Sequence, residues 1–332
     1  MKSVRICVAA ITAGVVCIAV MLGILSAAIY AENESGNSFI GLMYHQVLKD
    51  ENRAGKYIIT PNELERDLAY LSENGYVSVL PSQLVKIREQ GGRLPEKTVV
   101  ITFDDGYETG LYYVLPLLKK YGMKAVINVV GSYTDEYSEN GGEGEHLSYS
   151  YLTWNEIKTL SDSGYVEIGN HTYDMHSYNG ERNGCARKEN ESDEHYRTVL
   201  YEDVARLSDK LQRVTGKRPV AFAYPFGSLS EGSAEIIGSA GISVFMTCCE
   251  QPCSMNRNGR IVINRYNRES GRSARSFSRM RRNSSGVFIF AMFSGRLEFD
   301  FSGLFAPACR KISRKRSFFR DRVVKYNHLL SK

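Results

Sequence analysis

No regular disulfide framework runs through this chain of 332 residues. Cys7 and Cys17 lie in an apolar amino-terminal segment, and Cys185, Cys248, Cys249, Cys253 and Cys309 lie outside it. An odd set at irregular spacing excludes a disulfide-stapled scaffold, so the fold must rest on a core of its own. Cys249 and Cys253 have no second pair to complete a four-ligand zinc site, which leaves them as small hydrophobes or an occasional disulfide. Internal repeats are missing as well, which excludes solenoids and propellers. The single tryptophan, Trp154, reads as an anchor for its helix, with a stacking platform for a pyranose ring as the second reading.

Charge is unevenly spread. Residues 271–332 hold 15 Lys and Arg against 3 Asp and Glu, so this end carries +12 and the rest of the chain −7. The basicity is therefore local, and no nucleic-acid partner is indicated. The extension 269–332 reads as a solvated basic tail, with acidic wall polymers or anionic lipid as alternative partners. At the other end, residues 6–30 are uncharged and largely apolar behind Lys2 and Arg5. That run exceeds a signal-peptide core of about 7 to 15 residues and matches the roughly 20 that span a bilayer. Residues 1–31 thus read as an uncleaved signal anchor that attaches the chain to a membrane. Cleavage near Ser26, Ala27, Ala28 or Ala31, giving a secreted protein, is the alternative. Either outcome exports the remainder, because the positive end stays inside.

After a short linker at 32–38, strands and helices alternate over residues 39–268. The pattern gives strands at 39–45, 76–80, 99–103, 124–130, 165–170, 221–224, 243–247 and 261–264. Helices are expected at 61–73, 81–89, 111–121, 153–163, 202–215 and 234–240. Thr153 precedes Glu156 at capping-box spacing, and Gly122 stops the helix before it. Residues 135–146 read as a loop and 180–194 as a polar insertion. Alternation of this kind points to one α/β barrel-like domain with a parallel sheet.

Two clusters carry chemistry. Val99-Val100-Ile101-Thr102-Phe103-Asp104-Asp105-Gly106 is an apolar strand ending in adjacent carboxylates, at the rim that active sites of such barrels occupy. Neighbouring side chains on extended backbone diverge, which suits two jobs: one holds a metal while the other handles a proton. Residues 165–176 form a second strand that breaks at Gly169 and then presents His171 and His176. Imidazoles and a carboxylate are usual ligands of zinc and its neighbours.

Thr102-Phe103-Asp104-Asp105-Gly106 and His171-Thr172 resemble the first two motifs of the NodB-homology polysaccharide deacetylases, carbohydrate esterase family 4. The H-x4-H spacing resembles the branch that deacetylates poly-β-1,6-N-acetylglucosamine, as do Phe222-Ala223-Tyr224-Pro225-Phe226-Gly227 and Leu42-Met43-Tyr44-His45. The resemblance implies an α/β fold, the deformed (β/α) barrel of the polysaccharide deacetylase (NodB) type. It also implies metal-dependent removal of N-acetyl groups from an N-acetylglucosamine polymer. An N-acetyl group is a poor electrophile and water a poor nucleophile, and a divalent cation answers both problems. Asp105, His171 and His176 become its ligands, with zinc first and cobalt, nickel or iron as alternatives. Asp104 becomes the general base and His45 the general acid. The resemblance further implies that a backbone N–H at Phe226, beside Pro225, completes the oxyanion site with the metal and that Tyr224 lines the pocket.

Other readings stand beside these. Asp104 as a support for a ligand, and His45 as a structural histidine, are the bland ones. Met175 reads as core. His146, His195 and His328 have no partner motif and read as exposed. The family's Asp-Trp motif is missing, and Arg265 in Asn-Arg-Tyr-Asn-Arg is placed near the site without an assigned role. At the level of the whole protein, the alternatives are a non-catalytic polysaccharide-binding protein on the same fold and a glycoside hydrolase. The last fits less well, since it needs two carboxylates about 5 to 10 Å apart across a glycosidic bond and gives the histidines no purpose.

Overall fold

The computed structural model describes residues 37–140, 147–177, 182–255 and 259–272, with Met21, Gly23 and Ser276 as single positions. Apart from Met21 and Gly23, the apolar segment 6–30, the linker up to residue 36 and most of the basic extension lie outside the described residues. Among the described residues no helix is long and apolar enough to cross a membrane.

The sheet is built from the apolar runs of the sequence. Its strands are β1 (Ser38–Tyr44), β4 (Val77–Ser78), β5 (Thr98–Phe103), β6 (Ala125–Val129), β7 (Val166–Asn170), β8 (Ala221–Ala223), β9 (Val244–Met246), β10 (Cys253–Ser254), β11 (Ile261–Ile263) and β12 (Arg265–Asn267). A small separate pair, β2 (Gln46–Val47) and β3 (Ile58–Ile59), lies beside it. The order β1-β5-β6-β7-β8-β9-β11 is parallel throughout. Every residue of β5 is buried, as the continuous apolar run predicts for a strand covered on both faces.

Residues 261–267 close the barrel. Their first half, β11, pairs with β9, and after Asn264 their second half, β12, pairs in parallel with β1. The closing strand comes so near β1 that a Cβ on Gly41 would lie 2.4 Å from the Asn264 carbonyl oxygen. Only glycine admits that approach. Closure is reinforced just downstream. Arg268 Nε lies 2.5 Å from Asp67 Oδ2, which also accepts from the Tyr44 hydroxyl at 3.1 Å, while Ser270 Oγ and Gly271 N donate to Glu63.

Side chains alternate across the strands. Val99, Ile101 and Phe103 pack outward in one cluster with helix residues, whereas Val100 packs with Ala223, Val244, Met246 and Ile263 in another. Helices α1 (Pro61–Glu73), α2 (Pro81–Glu89), α3 (Leu115–Tyr121), α4 (Gly131–Asn140), α5 (Trp154–Asp162), α6 (Asp193–Thr215) and α7 (Ser233–Ser239) accompany the strands. Local signals set several ends. Thr60 and Glu63 form a capping box ahead of α1, Thr153 and Glu156 do so ahead of α5, and Gly122 ends α3 in a left-handed conformation.

Besides the short strands β2, β3, β10 and β12, two helical stretches differ from the sequence expectation. The loop expected from residue 135 is helical as far as Asn140, because tertiary contacts outweigh its polar composition. Asp135 accepts from Trp154 Nε1, Tyr173 and Lys210, which ties α4 to α5 and α6. The helix expected from residue 202 starts at Asp193, where Ser192 accepts from the His195 amide and Asp193 and Glu194 favour the first turn. Its added turns bury Tyr196 and Leu200, and the Tyr196 hydroxyl donates to the carbonyl of Cys185 at 2.7 Å. His195 is exposed, as expected; His146 and His328 lie outside the described residues. Among the described residues, Cys185, Cys248, Cys249 and Cys253 are not joined in disulfides.

The close approach at Gly41 generates a prediction. Gly41→Ala forces the closing strand outward and destabilises the fold by about 1–3 kcal/mol, the usual cost of overpacking. Urea denaturation of the variant beside Gly75→Ala separates the steric effect from backbone strain. Gly75 has a positive φ but open space around it, so equal losses in the two variants would speak against the closure argument.

Candidate active site

The carboxyl ends of β5, β7 and β8 each leave their strand through a left-handed residue: Asp105 (φ 72°), Thr172 (φ 74°) and Phe226 (φ 57°). For a β-branched threonine this conformation is costly, and surrounding structure must hold it. Asn170 does so at the end of β7. Its Oδ1 accepts from the Thr172 amide at 2.8 Å, and its Nδ2 donates to the Val204 carbonyl and Ser208 Oγ of α6.

Asp104 continues the inward alternation of Val100 and Thr102. It is 3 % exposed, and Arg265 of β12 is 0 % exposed. Arg265 Nη1 donates to Asp104 Oδ1 at 2.7 Å and Asn128 Nδ2 donates to the same oxygen at 2.8 Å. Two donors converge on Oδ1, leaving Oδ2 as the oxygen that can take a proton. Arg265 is itself fixed by bonds from Nε to the Thr247 carbonyl and from Nη1 to Thr102 Oγ1. Burial alone would raise the Asp104 pKa, but the adjoining Arg265 charge, then His171 and His45, outweigh it and bring it to about 2. Asn128 fits because its neighbour Gly169 lacks a side chain: a Cβ there would lie 2.0 Å from Asn128 Oδ1.

Asp105 points elsewhere. Its Oδ1 lies 3.4 Å from His171 Nε2 and 3.1 Å from His176 Nε2, and one ligand atom from each of the three residues lies within 4.8 Å of the others. His171 Nδ1 is 2.8 Å from the Ala223 carbonyl. A carbonyl only accepts, so Nδ1 carries the proton and Nε2 is the nitrogen left for a ligand role. Burial pushes the Asp105 carboxyl up, but hydrogen bonding to His171 and His176 outweighs this and holds it well below the usual carboxylate range. Burial likewise opposes charge on His171, yet the bond to Asp105 and the two nearby carboxylates leave its pKa raised. Two imidazoles and one carboxylate can hold a divalent cation with room for a further ligand.

The other residues singled out in the sequence divide. His45 follows β1 directly and is partly buried, with its ring edge against Tyr57 at 4.8 Å between centroids and no partner on Nδ1. Burial lowers its pKa, with Asp105 and Asp104 opposing and Arg265 and His171 assisting. Phe226 is 46 % exposed and packs on the His176 ring at 4.6 Å. Tyr224 and Pro225 are buried. Tyr224 is 0 % exposed in the cluster with Phe222, Phe245 and Cys185, so its side chain belongs to the core and does not line a pocket. Met175 packs on that same cluster. Trp154 anchors α5 through Asp135, as read. Sequence reading left Arg265 without a role and passed over Asn128, although a lone amide in Ala-Val-Ile-Asn-Val signals a polar group directed into the barrel.

The polysaccharide deacetylase family model matches residues 91–245. Poly-beta-1,6-N-acetyl-D-glucosamine N-deacetylase of Escherichia coli K12 is 28 % identical over 232 residues, covering 64 % of this chain and 34 % of that protein. This chain thus matches about a third of that relative's length. Among solved structures, IcaB from Ammonifex degensii is 26 % identical, with a TM-score of 0.58 over 74 % of this chain and 97 % of that one. The de-N-acetylase from Aggregatibacter actinomycetemcomitans shares the fold, with a TM-score of 0.64 at 24 % identity over 74 % of this chain and 100 % of that one. The barrel with its rim of carboxylates and imidazoles, and the match across β5 to β8, make this chain similar to the polysaccharide deacetylases over residues 91–245.

Proposed function

We propose that this chain hydrolyses N-acetyl groups on an N-acetylglucosamine polymer, releasing acetate and leaving free amines. The observation that carries the reading is the pair of adjacent carboxylates with opposite surroundings. Asp104 is held ionised by Arg265 inside the barrel, and Asp105 faces two imidazoles at the rim. Matched carboxylates of a glycoside hydrolase would instead flank one bond across a gap.

Asp105, His171 and His176 would hold the cation, zinc first, with cobalt, nickel or iron accepted by the same donor set. When bound, it would polarise the acetyl carbonyl and acidify water. Asp104 Oδ2 takes the proton of the attacking water. Its low pKa keeps it in the receiving form throughout the neutral range. His45, on the neighbouring strand end, gives a proton to the departing nitrogen, and its charged form favours the developing oxyanion. Phe226, exposed beside His176, borders the acetamide pocket. The relative's name supports poly-β-1,6-N-acetylglucosamine as the first substrate to test, followed by peptidoglycan and chitin fragments, which present the same acetamide. The apolar residues 6–30 support action at the outer face of a membrane.

Acetate release from these three polymers by the purified chain tests the proposal. Activity lost to a chelator and restored by zinc or cobalt is the expected result. Polymer binding without acetate would make the chain a binding protein, and new reducing ends without acetate would make it a glycosidase.

Two variants separate the roles. Asp104→Asn retains the cation and loses hydrolysis by on the order of 10² or more, because an amide cannot take the proton. Arg265→Met leaves the burial of Asp104 uncompensated, so its pKa rises. An acid limb due to Asp104 then enters the kcat/KM profile between about pH 4 and 7, where the wild type shows none from this group. Profiles that coincide would remove Arg265 from that task.

For His45, turnover falls on the alkaline side as its imidazolium loses the proton, at a lower pH than an ordinary imidazole because burial lowers its pKa. His45→Ala removes that limb and cuts amide hydrolysis strongly, while an activated ester, whose leaving group needs no proton, suffers much less. Equal losses on both substrates would take the acid role away from His45.

A further inference from the structure

His171 is held by the Ala223 carbonyl, but His176 lies farther along the loop after β7 and has no such main-chain acceptor described for its ring. Its side chain meets a tyrosine instead. The Tyr133 hydroxyl is 3.0 Å from the His176 carbonyl oxygen and 3.3 Å from His176 Nδ1. A phenol has one proton to donate, and the carbonyl can only accept. The proton therefore goes to the carbonyl, and the phenol oxygen accepts from Nδ1–H. With the proton on Nδ1, Nε2 is the nitrogen that can turn its lone pair to a cation, on the side where Asp105 Oδ1 lies at 3.1 Å.

From this geometry we infer that Tyr133 is a positioning residue of the cation site, selecting the His176 tautomer and fixing the plane of its ring against the loop's own backbone. The inference rests on the reading of Asp105, His171 and His176 as ligands. One hydroxyl grips both the main chain and the side chain of the same residue, so it restricts rotation about the bonds between them. Tyr133 is held in turn. It stands in the first turn of α4, its ring packs on Tyr151 at 4.6 Å and meets the His176 ring edge at 5.8 Å, and Tyr151 stacks on Tyr107 at 4.9 Å. Partners that orient a ligating imidazole through its other nitrogen are typically worth 10- to 100-fold in metal affinity.

The test uses the full chain with zinc alone as probe. Long-range proton–nitrogen NMR correlation reads the tautomer directly in the zinc-loaded wild type, where Nε2 cannot also give a proton to Asp105. The expected spectrum shows a protonated Nδ1 for His176, and a protonated Nε2 would overturn the inference without any variant. Tyr133→Phe keeps the ring stack and removes only the hydroxyl. It should weaken zinc binding, measured by competition with a chromophoric chelator, by on the order of 10-fold or more. Tyr137→Phe, whose hydroxyl donates to the Tyr149 carbonyl, serves as the control on the same helix and should stay within about twofold. Zinc affinity of Tyr133→Phe within about twofold of wild type, with His176→Ala strongly impaired, would remove Tyr133 from this role alone. Equal zinc binding by wild type and His176→Ala would instead overturn the ligand assignment, and the inference with it.

Discussion

A carboxylate and a guanidinium, both withdrawn from water, meet at 2.7 Å inside the barrel, and the surrounding architecture is arranged to let them do so. Bringing Asp104 and Arg265 out of solvent is expensive. Their attraction offsets that cost only because Asn128, Thr102 and the Thr247 carbonyl satisfy further donors and acceptors around them. These groups come from β5, β6, β9 and β12, so the pair forms only in a barrel whose strands are all in register. Gly41 and Gly169 are the concessions made for it. One lets β12 come alongside β1, and the other leaves room for the amide that supports the carboxylate.

The rim is governed differently. Inside the barrel, side chains are fixed by strand alternation and close packing; at the strand ends the chain must turn sharply while still aiming each side chain. Asp105, Thr172 and Phe226 turn in the left-handed region, and their neighbours hold them there. Asn170 illustrates the arrangement, reaching back to α6 with its amide while its oxygen receives the Thr172 amide. Strain of this kind commonly collects where side-chain direction matters more than local comfort.

The sequence disclosed whatever local pattern controls. The apolar run before Asp104, the capping boxes at Thr60 and Thr153, the stop at Gly122 and the histidines after β7 were all readable, because periodicity and end signals are properties of short windows. The failures lie where distant contacts decide. Residues 135–140 are polar and turn-like on their own, and become helical because Asp135 is grasped by Trp154, Tyr173 and Lys210 from elsewhere in the chain. The start of α6 was hidden by a charged stretch whose acidic residues favour a helix amino terminus. Tyr224 was assigned to the pocket from its place in a motif, yet strand parity turns it into the core. Arg265 belongs to a three-residue strand too short to announce itself, and its partner lies 161 positions away. The role of Tyr133 depends on a loop meeting a helix, which no spacing rule anticipates.

The order in which the closing strand is made has its own consequence. Asp105, His171 and His176 all precede residue 178, whereas Arg265 is among the last described residues to leave the ribosome. A nascent chain, or one cut short before β12, therefore possesses the candidate cation ligands but lacks the guanidinium that pairs with Asp104 in the interior. The ion pair at the centre of the barrel thus forms with the closing strand, after the three candidate ligands are already in the chain.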